Sequence, residues 1–230
     1  MRWLILLLVA GASFANTYTT SFSGTENPIS EGGNWINGKT TGLDWADVEL
    51  TPGLAFGTET GFGGFDDSTA ELTGFWGPDQ MAQATVYTLY PTFVGEVELR
   101  LRTSISADSI TGYEINFSSG YSQIVRWNGA FGDFTILASN TGVSVTKGDI
   151  VEATIVGSTI TEDINGVQVN QVTDSTFETG SPGIGFYNGG GGTDSEYGFT
   201  TYTTTDLPEP STLVLLMSGL AVGIKLRWKR

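Results

Sequence analysis

From Tyr18 to about Tyr202 the chain never sustains a 3.6-residue apolar period over a dozen residues; it advances in short alternating segments broken by Gly, Asn, Asp and Ser. That pattern constrains the fold more than any other feature, because a period of two places apolar groups on one side of a strand and polar groups on the other. The clearest segment runs from Val94 to Thr103. Val97, Leu99 and Leu101 point one way, while Glu96, Glu98, Arg100 and Arg102 point the other, so one face is expected to be core and the other a solvated face with charges balanced across neighbouring strands. Ser109 to Ser118 repeats the rule, with Tyr113, Ile115 and Phe117 set against Glu114 and Asn116. Further strands are predicted at 47–51, 71–76, 82–90, 123–127, 134–138, 150–156, 158–164, 167–172, 183–187 and 197–203, and Asn165-Gly166 is a two-residue hairpin signature. A dozen or so strands without helices predict an all-β domain: two antiparallel sheets packed face to face, or a closed barrel.

Composition removes several function classes. The 230 residues allow one domain once terminal segments are set aside. With no His and no Cys, Ser-His-Asp hydrolases, Cys proteases, disulfide scaffolds and most structural zinc sites are excluded. The formal net charge of −15 opposes a phosphate backbone, so no nucleic-acid partner is expected.

Both ends read as targeting segments. Met1-Arg2-Trp3, the apolar stretch Leu4 to Val9, and small residues at Ser13 and Ala15 form a secretory signal peptide, 1–15, cleaved after Ala15. At the other end, 207–230 holds Pro208-Glu209-Pro210, an apolar run of about 12 residues from Leu213 to Ile224, and the basic cluster Lys225, Arg227, Lys229 and Arg230. The run is short of the roughly 20 residues of a free spanning helix. The basic end should stay cytoplasmic and leave the body outside. This tail resembles the PEP-CTERM sorting signal of Gram-negative bacteria. The resemblance implies that Pro208, Glu209 and Pro210 are recognised by an exosortase, that the tail holds the inner membrane transiently, and that the protein then reaches the cell surface or extracellular polymer.

Between these ends lies the body, 16–206. Its order of features runs from Tyr113-Glu114-Ile115-Asn116-Phe117 through Trp127-Asn128-Gly129 and Asn165-Gly166 to Asp174-Ser175-Thr176-Phe177 and Gly180-Ser181-Pro182-Gly183-Ile184-Gly185-Phe186. It resembles the concanavalin A-like lectin/glucanase jelly roll of the laminin-G-like kind, which implies a two-sheet β-sandwich and includes carbohydrate-binding modules, adhesion domains and glycoside hydrolases.

A glycosidase needs two carboxyls facing one cleft. Glu96 and Glu98 share a strand face, roughly 7 Å apart. Family 16 hydrolases of this fold carry a third acid on that strand, where this chain has Arg100, so no catalytic residues are assigned. Asp66, Asp67 and Asp174 are hard oxygen ligands that a structural calcium ion could use, although none has calcium-loop spacing. Sugar binding uses an aromatic platform ringed by planar polar groups; Trp76 and Trp127, with Glu114, Asn116 and Asn128, are the candidates, and Tyr87 and Tyr187 could also serve. The expectation is an exported, non-enzymatic module that contacts extracellular polysaccharide. A structural matrix protein and a glycan-active hydrolase are the alternatives.

Overall fold

The computed structural model describes residues 15–59, 67–190 and 193–207. Along the chain the strands are β1 (Thr17–Thr20), β2 (Trp35–Asn37), β3 (Glu49–Thr51), β4 (Leu54–Phe56), β5 (Ser68–Leu72), β6 (Gln80–Thr88), β7 (Gly95–Ser106) and β8 (Ser109–Phe117). They continue as β9 (Ser122–Gly129), β10 (Phe134–Asn140), β11 (Ile150–Val156), β12 (Thr159–Ile164), β13 (Val167–Thr173), β14 (Ser181–Asn188) and β15 (Tyr197–Asp206). One helical turn, α1 (Gly38–Thr41), follows β2.

These strands make two antiparallel sheets. The front sheet has the order β10-β9-β8-β7-β14-β5-β2, and the back sheet β13-β12-β11-β6-β15-β4-β3, with β1 also paired to β15. The apolar face of each alternating strand turns inward. Val97, Leu99, Leu101, Ile115 and Phe117 from the front meet Val86, Val151, Ile155, Ile160 and Phe199 from the back in one buried cluster. Phe186 and Phe199 join the layers with ring centroids 5.4 Å apart.

The predicted two-sheet sandwich is therefore what forms, with adjustments that have local causes. The strand expected at 71–76 lies instead at Ser68–Leu72. Its predicted second half is a turn, because Gly74 takes φ +93°, a left-handed conformation that ends an extended run. Strands β1, β2 and β4 are only three or four residues long, too short to show a period. The turn α1 was not predicted; Gly42 at φ +96° closes it, and its N–H bonds back to the Lys39 carbonyl.

The larger correction concerns the second face of β7, expected to be solvated. Glu98 and Arg100 are both 0% exposed. The cover includes the segment after α1. Leu43 and Trp45 pack there with Ile105, Ile110, Val125 and Trp127 as a second apolar cluster outside the sandwich. Arg102 leaves this face altogether: β7 slips register between Leu101 and Ser104, Arg102 has φ +50°, and its side chain donates to the carbonyls of Pro78, Phe177 and Gly157.

Thr17 pairs with Thr205, so the two ends of the described body lie side by side. The predicted signal peptide, the sorting tail with Pro208, Glu209 and Pro210, and Asp66 fall outside the described residues, save for Ala15 and Leu207 at their edges. Among the described residues, no helix is long and apolar enough to cross a membrane.

Candidate functional site

Antiparallel register decides which side chains share the outer face of the front sheet. On β7, Arg100 stands opposite Glu114 of β8 and Gly183 of β14, and Glu98 opposite Asn116 and Gly185. Glu114 in turn stands opposite Val125, and Gly112 opposite Trp127 of β9. Period-two alternation thus gathers the polar halves of three strands into one patch. The glycines of β14 make room for it. A Cβ on Gly185 would collide with Glu98 and Arg100, and one on Gly183 with the Ala70 carbonyl of β5.

Arg100 is the centre of the patch. Its guanidinium donates to Glu98, lies 3.1 Å from Glu114 Oε2 and 3.5 Å from Asp67 Oδ2, and rests over the Trp45 ring at 4.9 Å. Glu114 also accepts from Trp127 Nε1 at 2.5 Å and from Asn116 Nδ2 at 3.1 Å. Trp127 meets Trp45 edge-on at 4.6 Å and Phe134 at 5.1 Å. Glu96, next along the face, accepts from the Tyr121 hydroxyl.

Charge within this patch does not balance. Asp67, Glu96, Glu98 and Glu114 surround one guanidinium. Burial, followed by the Glu114 charge, holds the Asp67 and Glu98 carboxyls well above the usual carboxylate range. The same two causes push Glu96 up to about 8. Glu71, opposite Gly183 on β5, is also pushed up to about 8, mainly by burial. Five buried polar atoms of this patch have no partner: the acceptors Glu98 Oε1, Asn116 Oδ1 and Glu71 Oε2, and the donors Arg100 Nε and Trp45 Nε1.

A half-open cavity of about 150 Å³ lies against the patch, lined by acceptors from Asp67, Glu96, Glu114 and Asn116, by Gln123, and by the walls of Val125, Trp127, Phe134 and Tyr187. This is smaller than the roughly 300–1,000 Å³ of sites for drug-sized ligands. It suits one polar ring with an apolar face. Asp67, Glu98 and Glu114 each offer an oxygen within 4.8 Å of one another, a spacing that a hard cation could use. Arg100 reaches all three and supplies positive charge at that point.

Of the sequence candidates, Trp127, Glu114, Asn116 and Asp67 come together here, and Tyr187 with them. Others do not. Trp76 packs, partly buried, against the sandwich core and donates to the Thr73 carbonyl. Asn128 accepts from Arg126 at 2.9 Å on the opposite face of β9 from Trp127. Asp174 pairs with the same Arg126 at 2.5 Å and accepts from the Tyr113 hydroxyl and the Thr176 amide, so its carboxylate is committed to the protein. Tyr87 lies on the back sheet, under Lys147. Gln123, Phe134 and Trp45 escaped sequence reasoning. Gln123 and Phe134 belong to strands that were predicted, and the glycines at 183 and 185 were the one signal that large side chains must lie across β14.

No family model matches the chain, and no curated protein matches it. Solved structures do. The carbohydrate-binding module CBM66 from Bacillus subtilis matches with a TM-score of 0.50 at 16% identity, covering 75% of this chain and 92% of that one. A Bacillus licheniformis β-glucanase matches with 0.53 at 11% identity, covering 84% and 98%. The exoplasmic/lumenal domain of VIP36 matches with 0.54 at 12% identity, covering 84% and 92%. At these identities the likeness is one of fold, and the fold is the concanavalin A-like β-sandwich of lectins and glucanases.

Proposed function

We propose that this chain is an exported, non-catalytic carbohydrate-binding module whose binding face is the outer face of the front sheet. The observation that carries the reading is the cavity itself: aromatic walls from Trp127, Phe134 and Tyr187 beside the acceptors Asp67, Glu96, Glu114 and Asn116. An aromatic ring takes the apolar side of a pyranose, and planar acceptors take its hydroxyls. A non-catalytic role is favoured because Glu98 and Glu114 are both tied to Arg100, which stands where the catalytic strand of family 16 hydrolases has a third acid. The carbohydrate-binding module among the similar structures agrees with this reading, and the glucanase among them makes hydrolysis the alternative to test.

Export rests on the two ends. The signal peptide would start secretion, and Pro208-Glu209-Pro210 with its apolar run and basic end would bring an exosortase, a transient stay in the inner membrane, and release to the cell surface or extracellular polysaccharide of a Gram-negative bacterium.

A glycan array probed with the purified chain, with and without calcium, tests the binding claim. A saturable hit weakened by Tyr187→Ala supports it; a blank array from folded protein moves the weight to a structural matrix role. Turnover of a bound glycan, lost in Glu98→Gln, would replace the module by an enzyme. Deletion of 208–230 in a host with its exosortase tests sorting: unchanged processing and location would refute it.

A further inference from the structure

We infer that the ligand of this cavity carries a protonated amine, and that the module selects an amino sugar with a free ammonium group over neutral and acidic sugars. The inference rests on the carbohydrate-binding reading above and deepens it.

The lining offers many acceptors and little positive charge. Asp67, Glu96 and Glu114 line the cavity and Glu98 lies beside Asp67 and Glu114; Arg100 pairs with Asp67, Glu98 and Glu114, and among the described residues Glu96 accepts only from the neutral Tyr121 hydroxyl. Arg100 itself is turned toward the sheet, with its guanidinium spread across Glu98, Glu114 and Asp67 and its face on Trp45. One guanidinium cannot balance four carboxylates, and an excess of buried negative charge is costly unless a further cation arrives or protons are taken up. Asn116 Oδ1 adds an independent observation. It is a buried carbonyl oxygen on the cavity wall with no donor, and it is paired on its other side to Glu114 through Nδ2. The raised carboxyls of Asp67, Glu96 and Glu98 hold protons; a ligand that is both a hydrogen-bond donor and a cation would replace those protons and reach Asn116 Oδ1 at once.

The walls specify what surrounds that charge. Trp127, Phe134 and Tyr187 present rings to the same space, a setting that favours a cation and the C–H face of a sugar together. A compact metal ion would use oxygens alone and leave these rings unexplained. A uronic acid or a sulfated sugar would set its anion against three carboxylates.

NMR titration of the purified chain with D-glucosamine, D-glucose and N-acetyl-D-glucosamine, at a pH where the amine is protonated, tests this directly. Glucosamine is expected to bind at least tenfold more tightly than either neutral sugar, with an advantage that shrinks as salt is added. Glu96→Gln should collapse that affinity ratio toward one, and Glu178→Gln, an exposed acid at another site, should leave it intact. A ratio near one in the unmutated chain, or a ratio that Glu96→Gln does not change, overturns the inference while neutral-sugar binding leaves the module reading standing. If none of the three binds to the folded chain, the module reading falls and takes the inference with it.

Discussion

The two faces of the front sheet are made by the same strands and are both removed from water, yet they are built on opposite principles. On the inner face Val97, Leu99 and Leu101 need nothing but volume, and the back sheet provides it. On the outer face Glu98, Arg100 and Glu114 need partners, and the chain leaves acids in excess. The inner face gains from burial, at about 25 cal/mol per Å² of apolar surface. The outer face holds charges that burial penalises. Stability therefore belongs to one side of the sheet and recognition to the other.

The largest effect expected from breaking this contrast is at Arg100. Arg100→Leu strips Glu98, Glu114 and Asp67 of their counter-charge and should cost about 3–5 kcal/mol by chemical denaturation, more at pH 8 than at pH 5, where the acids can take up protons. Replacing Glu98, Arg100 and Glu114 together by apolar residues should recover most of that loss while abolishing sugar binding. Leu99→Ala, at the preceding residue on the other face, should cost about 2–4 kcal/mol with no such pH dependence, since it only opens a cavity. Gly185→Ala should disturb the outer face selectively, weakening ligand affinity before it lowers the melting temperature, because its methyl group displaces Glu98 and Arg100.

A smaller effect separates the faces by pH. Glu71 and Glu96 are raised from 4.5 in the unfolded chain to about 8 in the fold. The folded state thus holds protons that the unfolded state releases, and these groups' contribution to stability falls as pH rises from about 4.5 to about 8. Glu71→Gln should raise the melting temperature at pH 8 and flatten its decline across that window; a steeper decline would contradict the assignment. The smallest effect should come from calcium. With Arg100 already among Asp67, Glu98 and Glu114, millimolar calcium or a chelator should leave the thermal transition within a degree or so, as scanning calorimetry can check.

How much of this was legible depends on whether the information was local. Alternation in Val94 to Thr103 and Ser109 to Ser118 is a property of consecutive residues, so the long strands and their inner faces could be read directly. The same alternation put Glu96 with Glu98, and Glu114 with Asn116, on shared faces. It could not reveal that Leu43 and Trp45, more than fifty residues upstream of Arg100, fold over Arg100 and make that face dry, because covering is a matter of packing between distant segments. Trp76 looked like a platform because it sits in a Gly- and Pro-flanked loop; the core offered that ring a place instead.

Amide NMR mapping of a bound sugar tests the central claim most directly. The account predicts that perturbations centre on Glu96, Asn116, Gln123, Trp127 and Tyr187, across four neighbouring strands of the outer face. Perturbations confined to the Gly74-Phe75-Trp76-Gly77 loop, with the outer face silent, would contradict it.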